Sequence, residues 1–360
     1  MARAFTIHRR CTLLAVPTAV GILLSSIVMA DSPDSGPNAS EPVAKIQLEA
    51  LVAPTASKIK IPNYPTAEVQ RSGEGWVQLA MMVDPTGKPF EVTVEASSGN
   101  KVFEQTAVRA AEATTYNPGT LNGQPIESAT KLKFTFLFED QPSRGAGEDF
   151  VHYFEKLQKA IKAKNRPAAD AAMKDLEVRN LYEDAFYGLA LYFYAHEWGD
   201  EPQQLAGLRR AIAYEKQAHY LPNAQFRAAL VQCLALEVKL HHYSEAQDIW
   251  LSLQKSGVDA HTIEMLRPGM LQLEHIRYAE GSYDVAGAMP DGTWELDLYK
   301  RRFQITVSEG HISYVKLRCA KGFVRFEFDP TIEYTLNPKY GSCEMQLDGD
   351  PGTRFTLTQF

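Results

Sequence analysis

The fold of this chain is decided within residues 64–138, whose central part reads GWVQLAMMV at 75–83, DPTG at 84–87 and FEVTVEA at 90–96. In the first of these segments apolar residues recur at every second position, which is the period of a half-buried strand. The third segment alternates in the same way. The segment between them combines a proline, which presets φ, with a glycine, which accepts a positive φ. The pattern predicts a β-hairpin.

A helix and a third strand follow the hairpin. Asn100 is a residue type that is favoured at helix N-caps, and residues 117–119 read NPG, which ends a helix. Between them, apolar residues fall on one helical face at Phe103, Ala107, Ala110 and Ala111. In the last segment one side of a strand is formed by Leu132, Phe134, Phe136 and Phe138, and the other side by Lys131, Lys133 and Thr135. The predicted order is strand, strand, helix, strand.

This stretch resembles the C-terminal domain of the TonB family of energy transducers over about 75 residues. The matching residues are Tyr64, Pro65, Gly75, Trp76, Val77, Val83, Asp84, Gly87, Ser97, Ser98, Gly99, Phe103, Ala107, Tyr116, Pro118, Gly123 and Pro125. The resemblance implies a small αβ domain at residues 64–140. Because function belongs to sites rather than to folds, it implies the fold more strongly than the activity.

The N-terminus predicts export of the chain. Basic residues precede an apolar run at 11–28, and small residues at Val28 and Ala30 fit a signal-peptide cleavage site after Ala30. A run of about 18 residues also reaches the lower limit for a membrane-spanning helix. Residues 1–30 are therefore interpreted as a cleaved signal peptide or, if residues 11–29 are retained, as an inner-membrane anchor. Both alternatives place the rest of the chain in the periplasm, soluble or anchored.

Two departures from the TonB pattern concern partners. The resemblance implies an inner-membrane motor complex as a partner, but family members that couple to the motor carry a serine and a histidine in the membrane helix. Here Ser25 and Ser26 are present and no histidine lies between residues 11 and 30, which argues against this coupling. Residues 31–63 read as a linker that, fully extended, would reach only about 100 Å, which strains a connection to the outer membrane.

Residues 148–278 show helical apolar spacing and predict a helical repeat domain. A turn followed by a helix with alanine on its inner face recurs around Ala169, Ala206 and Ala246, at intervals of 37 and 40 residues. Such spacing is typical of helical solenoids, and the last copy resembles a tetratricopeptide repeat. Arrays of this kind expose a concave surface that suits a peptide or a partner protein.

The period changes to two from residue 281 to residue 360. Short alternating segments separated by glycine-containing turns predict a small antiparallel sandwich or barrel. The fold class of the whole chain is therefore multidomain α+β: a small TonB-C-like αβ domain, a TPR-like α-helical repeat domain and a C-terminal all-β domain.

The composition and motifs favour a binding protein over an enzyme. A formal net charge of −7 gives no reason to expect a nucleic acid as partner. The sequence contains none of the common nucleophile, phosphate-loop or metal motifs, so we predict no catalytic residue, no metal and no cofactor. Contact with a membrane is predicted only through the N-terminal segment.

Two cysteines fall in the C-terminal β region. In an exported protein Cys319 and Cys343 can form a disulfide. The alternative is a pair of buried small apolar side chains, and spacing alone does not decide pairing. The exported location favours the bond.

The last strand of the small domain is the predicted peptide-binding site, at Lys131, Leu132, Lys133, Phe134, Thr135 and Phe136. If this strand lies at the edge of the sheet, its free backbone groups can pair with an extended peptide. In the TonB family the corresponding strand receives a short peptide from an outer-membrane receptor, and the resemblance implies the same surface here. The alternative is that the two lysines only solubilise the edge and discourage pairing.

Two functional hypotheses follow from these observations. The first is a TonB-like envelope protein that binds segments of partner proteins, such as outer-membrane receptors, by strand addition in energy-coupled transport. The second is a periplasmic scaffold in which the helical repeats hold the main partner without energy transduction. The extra domains and the two departures from the TonB pattern motivate the second hypothesis.

Overall fold

The structure of the protein is a computed structural model that describes residues 50–137, 145–213 and 220–360, together with the backbone of residues 11–14. Most of the predicted export segment, the part of the predicted linker before residue 50, and Phe138 lie outside these ranges. The domain boundaries given above stay predictions.

The N-terminal unit is an antiparallel sheet with a helix on one face. Its elements are β1 (Cys11–Leu14), β2 (Leu51–Val52), β3 (Thr55–Lys58), α1 (Thr66–Gln70), β4 (Gly75–Val83), β5 (Pro89–Ser97), α2 (Lys101–Glu112), β6 (Thr115–Asn117), β7 (Gly119–Leu121), β8 (Gln124–Ile126) and β9 (Ser128–Phe136). The main sheet, here called the small sheet, has the strand order β1-β9-β4-β5. The predicted order of strand, strand, helix, strand is confirmed by β4, β5, α2 and β9.

Local hydrogen bonds explain the turn and the helix start. The Asp84 carboxylate accepts hydrogen bonds from the backbone N–H groups of Thr86 and Lys88 at 2.8 and 3.0 Å. Gly87 has φ +87°, a conformation that side chains with a Cβ rarely adopt. The Asn100 side chain caps α2 by accepting from the N–H groups of residues 102 and 103. The sequence therefore encodes this αβ unit locally.

The predicted linker at 31–63 contains two short strands in its last part. β2 pairs with β7, and β3 pairs with β6, both antiparallel. Backbone pairing fixes residues 51–58 against the small domain.

The described residues between 145 and 278 form antiparallel helical hairpins. The helices are α3 (Glu148–Lys162), α4 (Arg166–Asp175), α5 (Leu181–Trp198), α6 (Glu201–Ile212), α7 (Asn223–Lys239), α8 (Tyr243–Lys255) and α9 (Ala260–Tyr278). The three segments with the recurring alanine are α4, α6 and α8. Consecutive helices pack in pairs, so a helical middle region is confirmed, while the tetratricopeptide-like repeat stays a prediction.

The prediction that Ala206 lies on the inner face of its helix was wrong. Ala169 and Ala246 are fully buried, but Ala206 is exposed. Its neighbour Gly207 lies at the crossing of α5 and α6 instead. A Cβ on Gly207 would lie 2.5 Å from the backbone nitrogen of Tyr192. The close approach of the two helices therefore depends on glycine rather than on alanine.

The C-terminal region is a sandwich of two antiparallel sheets. Its strands are β10 (Tyr283–Met289), β11 (Thr293–Asp297), β12 (Arg302–Glu309), β13 (Ile312–Cys319), β14 (Gly322–Glu327), β15 (Tyr334–Thr335), β16 (Cys343–Gly349) and β17 (Thr353–Gln359). The outer sheet has the order β10-β17-β12-β15, and the central sheet has the order β11-β16-β13-β14. Of the two predicted alternatives, the structure has the sandwich.

The central sheet is covered on both faces. Its apolar face packs on the outer sheet through a core that includes Val315, Leu317, Met345 and Leu347. Its other face lies against the small sheet, where Phe90 meets Phe323 edge-on with ring centroids 5.6 Å apart. The small sheet is therefore held between α2 on one face and the rest of the protein on the other.

Candidate functional site: strand β9 of the small sheet

The predicted binding strand, β9, does not lie at the edge of the small sheet, because the strand order β1-β9-β4-β5 places it between β4 and β1. β9 pairs antiparallel with β4 along its whole length, from Gly75–Phe136 to Val83–Ser128. On its outer side it pairs over four residues with β1, from Cys11–Phe136 to Leu14–Lys133. That neighbour comes from the predicted export segment, whereas β4 and β5 belong to the small domain itself. The outer side of β9 thus accepts an antiparallel strand at residues 133–136.

One set of alternating side chains anchors β9 in the core of the small domain. Leu132, Phe134 and Phe136 are almost completely buried. Phe136 stacks on Phe103 of α2 with ring centroids 4.3 Å apart, and Tyr64 meets the Phe136 ring edge-on at 6.0 Å. These contacts anchor one side of β9 against α2.

The other set faces the remaining domains. Lys131 pairs with the carboxylates of Glu95 at 2.6 Å and Glu344 at 3.6 Å, while 42 % of its side chain stays exposed. Lys133 donates a hydrogen bond to the carbonyl oxygen of Ala213 at 2.5 Å. The two ammonium groups therefore contact the small sheet, the sandwich and the helices, and neither predicted alternative for these lysines included such contacts.

Lys133 also lies over the Trp76 ring, with its ammonium 4.3 Å from the ring centroid. Trp76 donates from its indole nitrogen to the buried carboxylate of Asp184 in α5 at 3.0 Å. Arg210 of α6 pairs with the same carboxylate and donates to the carbonyl oxygen of Ser98 at 2.7 Å. This network holds the small domain against the α5–α6 hairpin.

A second polar contact joins the small sheet to the central sheet. Arg318 has no exposed side-chain surface and donates to the Thr93 hydroxyl at 2.8 Å. It also donates to the side-chain oxygen of Gln346 and lies 3.5 Å from the carboxylate of Glu295. The sequence patterns described above did not indicate these residues. Alternation places Arg318, Glu344 and Gln346 on the polar side of β13 and β16, but the burial of these three residues is seen only in the structure.

Carboxylates in this contact have shifted pKa values. Burial, with the neighbouring Glu95 and Asp297 and against the attraction of Lys131, raises the pKa of Glu344 to about 7. Burial also raises the pKa values of Glu295 and Asp297. Burial and repulsion from Asp297 raise the pKa of Glu245 in α8 to about 8. These groups favour their protonated forms more than exposed carboxyls do.

The cysteines divide into a bonded pair and a buried thiol. Cys319 and Cys343 are directly opposite in the register of β13 and β16 and form a disulfide, with Cα atoms 4.0 Å apart. Cys233 is a buried free thiol, and burial raises the pKa of this thiol, which makes it unreactive. Within the described residues no group of histidine, cysteine and acidic side chains is arranged to hold a metal ion.

No helix among the described residues is long and apolar enough to span a membrane.

Comparison with known proteins agrees with the position of this domain. Residues 60–138 match the family model described as Gram-negative bacterial TonB protein C-terminal. Protein TonB of Haemophilus ducreyi is 39 % identical over 72 residues, which is 20 % of this chain and 25 % of that protein. Protein TonB of Xanthomonas campestris pv. campestris is 31 % identical over 87 residues, which is 24 % of this chain and 39 % of that protein.

These similarities extend over one domain. The chain spans only about a quarter to two fifths of the length of these two relatives. A solved structure of the TonB2 protein from Vibrio anguillarum is 22 % identical and covers 32 % of this chain and 100 % of that one. Its TM-score of 0.19 is too low to support a conclusion. What the family match and the relatives show is a TonB C-terminal-like domain at residues 60–138.

Proposed function

We propose that this protein is a TonB-like protein of the cell envelope that binds extended segments of partner proteins by β-strand addition along β9, at residues 131–136. The single observation that carries the proposal is the outer side of β9, which pairs with a four-residue strand from outside the small domain. Main-chain hydrogen bonds of this kind give affinity for many extended sequences, and alternate side-chain contacts give selectivity.

The partner class follows from the relatives. The matched relatives are named Protein TonB, and a segment of an outer-membrane receptor is the partner that this relationship favours, in energy-coupled transport. The disulfide between Cys319 and Cys343 suits an oxidising compartment such as the periplasm. Peptide binding at β9 requires no catalytic residue and no cofactor, and it does not require coupling to a membrane motor.

The surroundings of β9 favour a rigid receiving strand. Its apolar side chains are fixed against α2, and its polar side chains contact the helices and the central sheet. A strand that is held on both faces loses little conformational entropy when a peptide adds to it. In the chain as described, an incoming peptide must take the place of residues 11–14.

The test is a substitution on the receiving strand, Thr135→Pro, in a chain that starts at Asp31. Proline removes a backbone N–H group and its ring crowds the neighbouring strand. We expect the affinity for ten-residue peptides from outer-membrane receptors to fall at least tenfold in fluorescence anisotropy titrations. The matched control Thr135→Val keeps the N–H group and should bind within about twofold of the parent.

A second experiment uses the unmodified protein and changes the peptide instead. Peptides that are N-methylated at alternate backbone positions should lose affinity at one set of positions and keep it at the other, because a strand points successive N–H groups to opposite sides. Equal binding by all methylated peptides and by folded Thr135→Pro would refute strand addition. Capture of the partner by the helices alone, seen by cross-linking, would support the scaffold hypothesis instead.

A further inference from the structure

The contact between the small sheet and the central sheet contains more acidic than basic side chains. Three basic side chains, Lys131, Lys316 and Arg318, lie in this contact. The carboxylates that face them in the described residues are Glu91, Glu95, Glu295, Asp297, Glu344 and Asp348. With all groups ionised, this contact carries excess negative charge between two sheets.

Each carboxylate has neighbours from several elements. Facing Glu344 are Glu95 of β5, Lys131 of β9, Glu295 and Asp297 of β11, and Arg318 of β13. Glu344 has only 9 % of its surface exposed, so water does little to screen the repulsion from the other carboxylates. A shared proton removes that repulsion.

The same charge excess continues into the helices. Glu245 of α8 accepts a hydrogen bond from the Asp297 N–H at 3.3 Å, and its second carboxylate oxygen is buried without a hydrogen-bond partner. The charged groups that face it are Asp297 of β11, Arg209 of α6 and Glu237 of α7. Arg209 donates two hydrogen bonds, each of 2.7 Å, to the carboxylate of Glu237. Glu245 is thus left without a cation of its own.

We propose that this contact is a pH-dependent clamp, which holds the small domain on the central sheet while the excess carboxylates carry protons and loosens when they ionise. The clamp is a property of the fold and does not depend on peptide binding at β9. Arg318 keeps the two sheets in register through its hydrogen bonds to Thr93 and Gln346.

The raised pKa values of the carboxyl groups determine how docking changes with pH. Separation of the sheets would return Glu344 from a pKa of about 7, raised by burial, to the ordinary value of a glutamate. Docking therefore takes up protons between about pH 5 and pH 8. It is strongest at the acidic end of this window and weakens as the pH rises through the docked pKa.

The experiment measures the distance between the small domain and the C-terminal sandwich. Nitroxide labels on the exposed positions Glu112→Cys and Asp291→Cys, in the full chain with Cys11→Ser, report it by pulsed dipolar spectroscopy. Urea is added until docked and separated populations are both visible. We expect the docked-to-separated ratio to fall about tenfold to hundredfold between pH 5.5 and pH 8.5.

Variants connect the change to the carboxylates. Glu344→Gln removes the titration and should flatten the pH profile at least threefold. Glu309→Gln changes an exposed carboxylate that pairs with Arg354 at the surface and should leave the profile as it was. Asp297→Asn is the second variant if Glu344→Gln does not fold. A docked-to-separated ratio that is constant with pH or that rises with pH would overturn the clamp. So would a single label-to-label distance at every urea concentration below unfolding.

Discussion

The central sheet has two buried faces of opposite chemistry, and the comparison of the two separates folding from docking. Towards the outer sheet it presents residues such as Val315, Leu317 and Leu347, which form one apolar core. Towards the small sheet the intervening positions of the same strands present Arg318 and Glu344. The apolar face and the centre of the charged face around Arg318 are shielded from water, but only on the apolar face does the hydrophobic effect compensate for this burial.

The difference indicates what each face does. An apolar core stabilises the sandwich without demanding exact geometry, since hydrophobic contact is not directional. A buried charged contact adds little net stability, because desolvation offsets much of the attraction between the charges. It demands a defined register, however, because each charge needs its partner. We infer that the apolar face folds the sandwich and that the charged face positions the small domain on it.

The largest effect is expected from a cavity on the apolar face. Leu347→Ala removes a completely buried side chain opposite Val315 and should lower the free energy of unfolding of the sandwich by about 2–5 kcal/mol. The loss should be equal at pH 5.5 and pH 8, as measured by urea denaturation. Leu347→Met keeps the volume and should cost less than about 1.5 kcal/mol. A pH-dependent loss would break the contrast between the faces.

A smaller, pH-dependent effect is expected on the charged face. Arg318→Met leaves the carboxylates of Glu295 and Glu344 without their buried cation and should destabilise the protein by about 2–4 kcal/mol at pH 8. The loss should shrink at pH 5.5, because the raised pKa values that burial gives these carboxyls let them take up protons.

Arg325 supplies the control for Arg318, because it lies on the same sheet but is exposed. Arg325→Met should change the free energy of unfolding by no more than about 0.5 kcal/mol at either pH. Equal losses for Arg318→Met at both values of pH would mean that the hydrogen bonds of Arg318 to Thr93 and Gln346, not its charge beside the carboxylates, stabilise the contact.

The smallest effect is expected at the rim of the charged face. Lys131→Met removes an ammonium group that is paired but 42 % exposed, so the loss should stay below about 1 kcal/mol. It should also decrease when sodium chloride is raised from about 0.05 to 0.5 M, because salt screens exposed pairs. Lys101, which pairs with Glu104 and is 79 % exposed, is the control and should show no measurable change. A loss as large as that of Arg318→Met would place Lys131 in the interior of the contact.

Local patterns predicted the elements well because their causes are local. Alternation over β4 and β5 and the Asn100 cap of α2 depend on residues a few positions apart. The prediction for Ala206 was wrong because helical spacing selects a face of α6 but not the one residue that touches α5. That choice depends on the crossing point, where Gly207 meets the backbone of Tyr192.

The site was predictable in part. The sequence and the resemblance identified β9 and the residues at 131–136, and the assignment of peptide binding to them stays a prediction. The contacts of Lys131 and Lys133 were not predictable, because their partners Glu344 and Ala213 come from other regions of the chain. Pairing of Cys319 with Cys343 was left open by their spacing and is set by the register of β13 and β16.

The sequence by itself determined the order of strands and helices, the αβ character of the small domain and the two-residue period of the C-terminal region, since hydrophobic periodicity is a local property. Only the tertiary structure decided that the second face of the small sheet is buried. The contact between Thr93 and Arg318 joins positions 225 residues apart, and no local pattern records which surfaces will meet at such a separation. The charge of that contact, and with it the proposed response to pH, exists only once the domains are packed together.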